Sequence, residues 1–236
     1  MGPAPAGKGE RKMVGIICAM DIEARNVIAE MENATEEKRA GCVYTEGKLY
    51  GRDAVVCVCG IGKVNAAVCA QEMITRYAPD ELINVGVAGS LTPELKVFDV
   101  VVSRDLCQHD FDLEPFGRPA GFIPGPDRTF FEASDKIIAR LEKALKAENV
   151  NYRVGRIASG DQFIDTDEAR RRIAEKYNAD ACEMEGCAVA QTCYLNGVDF
   201  AVLRAISDSG EGDYAKFAAR AADNSARVIC RYMRDR

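Results

Sequence analysis

The chain has 236 residues, 47% of them hydrophobic, and a formal net charge of −6. That is enough apolar material for one large α/β domain with a filled core. The acidic balance, with no basic run or aromatic-rich basic patch, argues against a nucleic-acid partner. No apolar stretch is long enough to span a bilayer. The only histidine, His109, leaves little room for a histidine-dependent triad or a multi-histidine metal site.

Ten cysteines are present, and none has zinc-ligand spacing; Cys57-x-Cys59 lies in an apolar run and reads as core thiols. No metal or cofactor is therefore expected. Free thiols in core-like segments fit a reducing compartment, so a cytoplasmic location is expected. Residues 1–12 are small, rich in Gly and Pro, then basic, with no apolar signal core. They read as a disordered tail ahead of a single domain over 13–236.

In chain order, residues 13–20 form a short apolar run, the pattern of a strand buried on both faces. Asp21 follows as a helix cap, and apolar residues at 24, 27, 28 and 31 predict a helix over 22–32. Strands over 43–49 and 54–59 flank a hairpin at Tyr50-Gly51-Arg52-Asp53. Gly60-Ile61-Gly62-Lys63 opens a helix to about Tyr77; Val64 stands where a triphosphate-binding loop needs Ser or Thr, so that reading is set aside. A third buried strand over 82–87 is predicted to end in a turn at Ala88-Gly89-Ser90, its amides free for a ligand. Further strands are expected over 97–103, 153–158 and 198–206, and helices over 130–149, 165–177 and 213–233. Residues 106–128 read as a long irregular loop. Cys182-Glu183-Met184-Glu185-Gly186 is a strand-to-helix junction running into a helix that ends at Asn196. Its two acids share a face if the strand continues, and they separate if the helix begins at Glu185. Strands alternating with helices predict a three-layer α/β/α domain with a mixed central sheet.

Strand ends at Met20, Ala88, Ser159 and Ser207, and the junction at Glu183–Glu185, converge if the strands are mostly parallel. Glu23, Glu185, Arg204 and Asp208 are then the candidate set. An arginine inside an apolar strand calls for a carboxylate partner, Glu185 or Glu23. Three acids and an arginine without histidine or metal suit cleavage of a glycosidic bond. One acid protonates the leaving group and another activates water, and fixed charge stabilises an oxocarbenium-like transition state.

Six segments then occur in order: MVGIICAMDIE (13–23), GIGK (60–63), NVGVAGSL (84–91), SGDQFI (159–164), EME (183–185) and RAISD (204–208). Together they closely resemble the bacterial 5′-methylthioadenosine/S-adenosylhomocysteine nucleosidases, within the purine nucleoside phosphorylase superfamily. The resemblance implies a nucleoside phosphorylase-like catalytic domain over 13–236. It implies that Asp208 protonates adenine N7 and that Glu23 activates water. Glu185 would hold the ribose hydroxyls, with Met184 against the sugar and Arg204 beside Glu185 and the water. Phe163 would stack on adenine, and the backbone of Ile164 would read its edge. Met20 and Ile61 would contact the ribose and its 5′ side, with Ala88, Gly89 and Ser207 at the adjoining strand ends. Phe116 and Pro124 would reach into a neighbouring subunit's 5′ pocket, so a homodimer follows by resemblance.

The chain departs from that pattern at Val87, where serine is common, at Ser90, where glycine is usual, and in a short segment between Asp208 and Phe217. Tyr214 is the match to the aromatic residue of the lid that this segment normally supplies. His109 is expected to be structural. Asp21 and Glu23 in the first helical turn would repel phosphate, with Arg25 the only nearby cation, so hydrolysis is favoured over phosphorolysis. A purine nucleoside phosphorylase, an aminodeoxyfutalosine nucleosidase and a non-catalytic nucleoside-binding module remain the alternatives.

Overall fold

A computed structural model describes residues 12–210 and 213–235; the expected N-terminal tail, Lys12 excepted, lies outside the described residues. Among the described residues, a mixed sheet of ten strands carries six α-helices. Strand β1 (Met13–Cys18) leads into α1 (Asp21–Ile28), followed by β2 (Met31–Arg39), β3 (Cys42–Leu49) and β4 (Arg52–Val58). Next come α2 (Lys63–Tyr77), β5 (Glu81–Ser90), β6 (Val100–Gln108), β7 (Phe131–Glu132) and α3 (Asp135–Ala147). Then follow β8 (Tyr152–Ser159), α4 (Asp167–Tyr177), β9 (Ala181–Glu183), α5 (Gly186–Asn196), β10 (Asp199–Asp208) and α6 (Asp213–Arg234).

The apolar run of β1 is buried at every position because β4 and β5 flank it in parallel. The remaining pairings close the far half of the sheet on itself. β5 pairs with β10, β10 with β6, β6 with β8, β8 with β9, and β9 returns antiparallel to β5 through Gly89↔Cys182 and Ser90↔Ala181. This closure brings β9 to the carboxyl end of β5, although the two run in opposite directions. The ends of β1, β5 and β10 converge because those strands run parallel, as the sequence suggests, and the closure adds the ends of β8 and β9, which run the other way. Helices α1, α3 and α6 pack together, and α2 packs with α5.

The differences from the sequence expectations have local causes. Helix α1 stops at Ile28, and Met31 begins β2, an edge strand whose MENATEEKR sequence has no apolar alternation. Its charges suit an exposed edge. Met20, not Asp21, occupies the cap position, and Glu23 reaches back to the Met20 N–H. Ala88, Gly89 and Ser90 are not a turn but the end of β5, paired with both β10 and β9. Strand β6 runs to Gln108, inside the stretch expected to be irregular; beyond it the chain makes a single 3-10 turn at Glu114–Phe116. Phe131 and Glu132 form a short strand on β6, so α3 begins at Asp135.

Cys57 and Cys59 are buried as expected. Cys42, Cys57 and Cys69 bring their sulfurs within 4.8 Å of one another, a grouping from two strands and a helix that linear spacing does not reveal. All ten cysteines are free.

Gly86 on β5 lies directly beneath Arg204 and Glu23, and a methyl group there would overlap both the guanidinium Nη1 and the Glu23 carboxylate. Gly86→Ala is expected to lower stability by about 1–3 kcal/mol through overpacking and to displace both side chains. Urea unfolding, together with a loss of turnover larger than the stability change explains, checks it.

Candidate active site

Where the strand ends meet, a cavity of about 380 Å³ opens, the size of a small-molecule site. Its lining includes Met20, Glu23, Ile61, Ala88, Gly89, Phe163, Ile164, Met184, Glu185, Arg204, Ser207, Asp208 and Tyr214, all expected from the sequence. Phe116 and Pro124 do not join it within one chain; Phe116 is 81% exposed at the 3-10 turn. Ala19, Val87, Gln162, Cys182 and Glu183 complete the lining.

Glu23 sits in the first turn of α1, where a carboxylate suits the helix dipole. Its Oε2 accepts the N–H groups of Ala19 and Met20, each at 2.9 Å, and its Oε1 accepts that of Val87 at 3.0 Å. Burial pushes its carboxyl above the usual range, opposed by Arg204 and by those three amides. A buried carboxylate with a raised proton affinity is suited to take a proton from water. The Val87 backbone amide makes this contact whatever side chain stands at position 87; the valine itself offers no hydroxyl.

Glu185 caps α5. Its Oε1 accepts the Gly62 N–H at 2.8 Å, and its Oε2 lies 3.3 Å from Arg204 Nη2. Gly62 has a φ of +103°, a conformation that glycine adopts without strain and that aims its amide at the carboxylate. Burial is the main cause that pushes Glu185 up to about 7; Arg204 pulls it down and Glu183 pushes it further up.

Arg204 is almost wholly buried. Nη2 donates to Asn84 Oδ1 at 2.5 Å and to Glu183 and Glu185, while Nη1 reaches the Val87 carbonyl at 3.3 Å and lies 4.0 Å from Glu23 Oε1. Burial alone would lower its proton affinity, but Glu183, Glu185 and Glu23 together raise it. Glu183 is its shortest carboxylate contact, a partner that the sequence reading did not assign. The Glu183 carboxylate also accepts the N–H groups of Glu185 at 3.0 Å and Gly186 at 2.7 Å and the Ser159 hydroxyl. The strand ends at Glu183 and the helix starts at Gly186, so the two junction acids separate in the chain yet meet on Arg204.

At the other end of the cavity, Asp208 Oδ2 accepts the Ser207 hydroxyl at 2.7 Å, and Oδ1 accepts Arg170 Nη2 at 2.5 Å. Arg170 was not singled out from the sequence. The signal is its spacing: with Ile173 and Tyr177 it makes the buried stripe of α4. Phe163 is 55% exposed and meets Tyr214 edge-on at 5.2 Å, and the Tyr214 hydroxyl lies 3.5 Å from the Met20 sulfur. These groups form an apolar rim.

Groups set aside on sequence grounds are otherwise engaged. Lys63 Nζ is held by Asp110 at 2.5 Å and Gln108 at 2.9 Å. Arg25 is exposed and lies 3.7 Å from Asp223. His109 packs over Gly160 outside the cavity, and burial lowers its proton affinity.

A closed mixed sheet whose strand ends carry buried acids around a nucleoside-sized hollow is the plan of a known group of enzymes. The chain belongs to the phosphorylase superfamily, whose family model matches residues 13–234. Within that superfamily it falls in the 5′-methylthioadenosine/S-adenosylhomocysteine nucleosidase family. It is 35% identical over 229 residues to the nucleosidase of Shewanella halifaxensis (strain HAW-EB4), covering 92% of this chain and 96% of the relative. The Neisseria meningitidis nucleosidase, solved in complex with methylthio-immucillin-A, superposes with a TM-score of 0.92 at 34% identity, covering 95% of this chain and 100% of the other. The futalosine hydrolase of Helicobacter pylori strain 26695 superposes with a TM-score of 0.91 at 31% identity, covering 95% and 98%.

The raised proton affinity of Glu185 has a consequence for stability. Between an unfolded value of 4.5 and a folded value of about 7 the native state holds a proton that the unfolded chain has lost, so this residue's contribution is full below about 4.5 and falls away as pH rises through 7. Glu185→Gln removes that loss. The variant is expected to melt higher than the wild type at about pH 8 and to lose that advantage at about pH 4–5, by up to roughly 3 kcal/mol at about 1.4 kcal/mol per pH unit. Melting curves across pH check it.

Proposed function

We propose that the chain hydrolyses the N-glycosidic bond of 5′-methylthioadenosine, S-adenosylhomocysteine and related 5′-substituted adenosines, releasing adenine and the free (thio)ribose. Asp208 gives its proton to adenine N7, so that the base leaves as a neutral molecule with the electron pair of the broken bond. Glu23 takes a proton from water as the water adds to the ribosyl cation. Glu185 holds the ribose hydroxyls, and Arg204 fixes Glu185 and lends positive charge beside the water. Met184 packs on the sugar and Phe163 on the base, with the Ile164 backbone at the base edge. Ser207 orients Asp208, and Ala88 and Gly89 form the floor at the strand ends. Met20, Ile61 and Tyr214 border the 5′ substituent.

One observation carries the choice of water over phosphate. The amides that would otherwise cradle an anion, those of Ala19, Met20, Val87 and Gly62, already hold the Glu23 and Glu185 carboxylates. Arg204 is the only cation among the described lining residues, and it is shared by three acids. A phosphate dianion would meet like charge there.

The exposed apolar residues Val64 and Val68 on α2 and Leu195 on α5, two helices that pack together, support a homodimer in which Phe116 and Pro124 reach the neighbour's 5′ pocket. No described helix is long and apolar enough to cross a membrane. That and the ten free thiols support a cytoplasmic enzyme.

A product assay on a purine nucleoside panel that includes aminodeoxyfutalosine, with and without phosphate, tests the reading. Free adenine formed equally in both conditions is expected; ribose 1-phosphate formed only with phosphate would reverse it to a phosphorylase. Asp208→Asn is expected to cut kcat by at least about 100-fold with KM little changed, since the leaving group loses its proton donor while the amide oxygen still accepts from Arg170. Glu23→Gln is expected to stall hydrolysis to a similar degree without rescue by phosphate.

A further inference from the structure

Helix α4 buries Arg170 together with Ile173 and Tyr177. A buried guanidinium costs several kcal/mol to desolvate unless it is paired. The one ion pair that Arg170 makes among the described residues is with Asp208, 2.5 Å from Nη2 to Oδ1. Nη1 donates to the Ser90 carbonyl at 3.2 Å, while Nε is buried with no partner. Room for the pair comes from Gly89: a side chain there would lie 2.9 Å from Asp208 Oδ1 and 3.2 Å from Arg170 Nη1. Arg170 is absent from the cavity wall and stands behind Asp208.

We propose that Arg170 is a positioning residue that fixes which oxygen of Asp208 carries the proton for the leaving purine and holds the carboxylate left once that proton has moved. The inference rests on the nucleosidase reading above. A guanidinium donates and never accepts, so with Arg170 on Oδ1 the acid proton rides on Oδ2. Its neighbour on that side is the Ser207 hydroxyl at 2.7 Å, which switches between donor and acceptor. When N7 takes the proton from Oδ2, Asp208 becomes a carboxylate already paired on Oδ1, and the bond-breaking step gains a prepared counter-charge. Opposite charge beside a carboxyl favours its ionised form, so loss of a guanidinium favours the protonated acid.

The other titratable groups facing Asp208 stay neutral. Burial pushes Cys182 on β9 up to about 12 and also raises Tyr214 on α6. Across the cavity Glu23, Glu183 and Glu185 are grouped around Arg204. Arg170 is therefore the charge that governs Asp208.

The test is the pH profile of adenine release by wild type, Arg170→Met and Arg170→Lys between about pH 4 and pH 9. For Arg170→Met the alkaline limb of kcat/KM is expected to move up by about one pH unit, while kcat on the plateau falls about tenfold and KM changes less than about twofold. Arg170→Lys is expected to return the limb toward its wild-type position. A limb that stays in place while the rate falls equally at every pH would reduce Arg170 to structural support and overturn the proposal. If Arg170→Met does not fold, Arg170→Gln, which keeps a donor but not the charge, decides in its place: an alkaline limb moved up supports the proposal, and a limb left at the wild-type position overturns it. A wild-type enzyme that frees no adenine overturns this inference and the nucleosidase reading together.

Discussion

A single guanidinium with nowhere to shed its charge organises the site. Arg204 lies in the middle of β10, flanked by β5 and β6, with Asn84, Glu183 and Glu185 on one nitrogen and Val87 and Glu23 on the other. Each carboxylate alone would be too costly to bury, and so would the arginine. Together they are still one cation among three carboxyl groups, and the backbone supplies the remaining donors: three amides on Glu23, two on Glu183 and one on Glu185. Those amides come from the end of β1, the middle of β5, the loop before α2 and the start of α5. The charge cluster thus ties together segments from four parts of the chain.

Sequence reasoning reached the site through residues whose chemistry is unusual for their setting. An arginine in an apolar strand, a glutamate one turn into a helix and an aspartate ending a buried strand each contradict a purely structural pattern, and each lines the cavity. What it missed has no such contrast. Arg170 lies within Arg170-Arg171-Arg172, on a helix of low hydropathy, and only its place in the stripe with Ile173 and Tyr177 separates it from solvated neighbours. Glu183 was visible as a residue but not as the primary partner of Arg204, because that depends on β9 returning against β5, a closure set by long-range pairing. Strand β2 was illegible for the opposite reason. It is exposed over most of its length, Met31 apart, and gains its place from hydrogen bonds to β3 more than from a buried face.

The cavity has two groups of acids with separate arginines, and such separate surroundings let neighbouring acids hold different protonation states. Glu23 and Glu185 share Arg204 and sit among backbone amides; Asp208 has Arg170 and the Ser207 hydroxyl. If both ends drew on one cation, protonation at one would feed directly into the other. With two, each acid answers to its own counter-charge. The strand pairing supports the division: Arg204 and Asp208 both belong to β10, but the register against β5 shifts between Ile206 and Asp208. That irregularity lets the strand present Arg204 to one end and Asp208 to the other. One strand therefore contributes to both charge groups, and the glycines of β5 leave space for each: Gly86 beneath Arg204 and Glu23, Gly89 beneath Arg170 and Asp208.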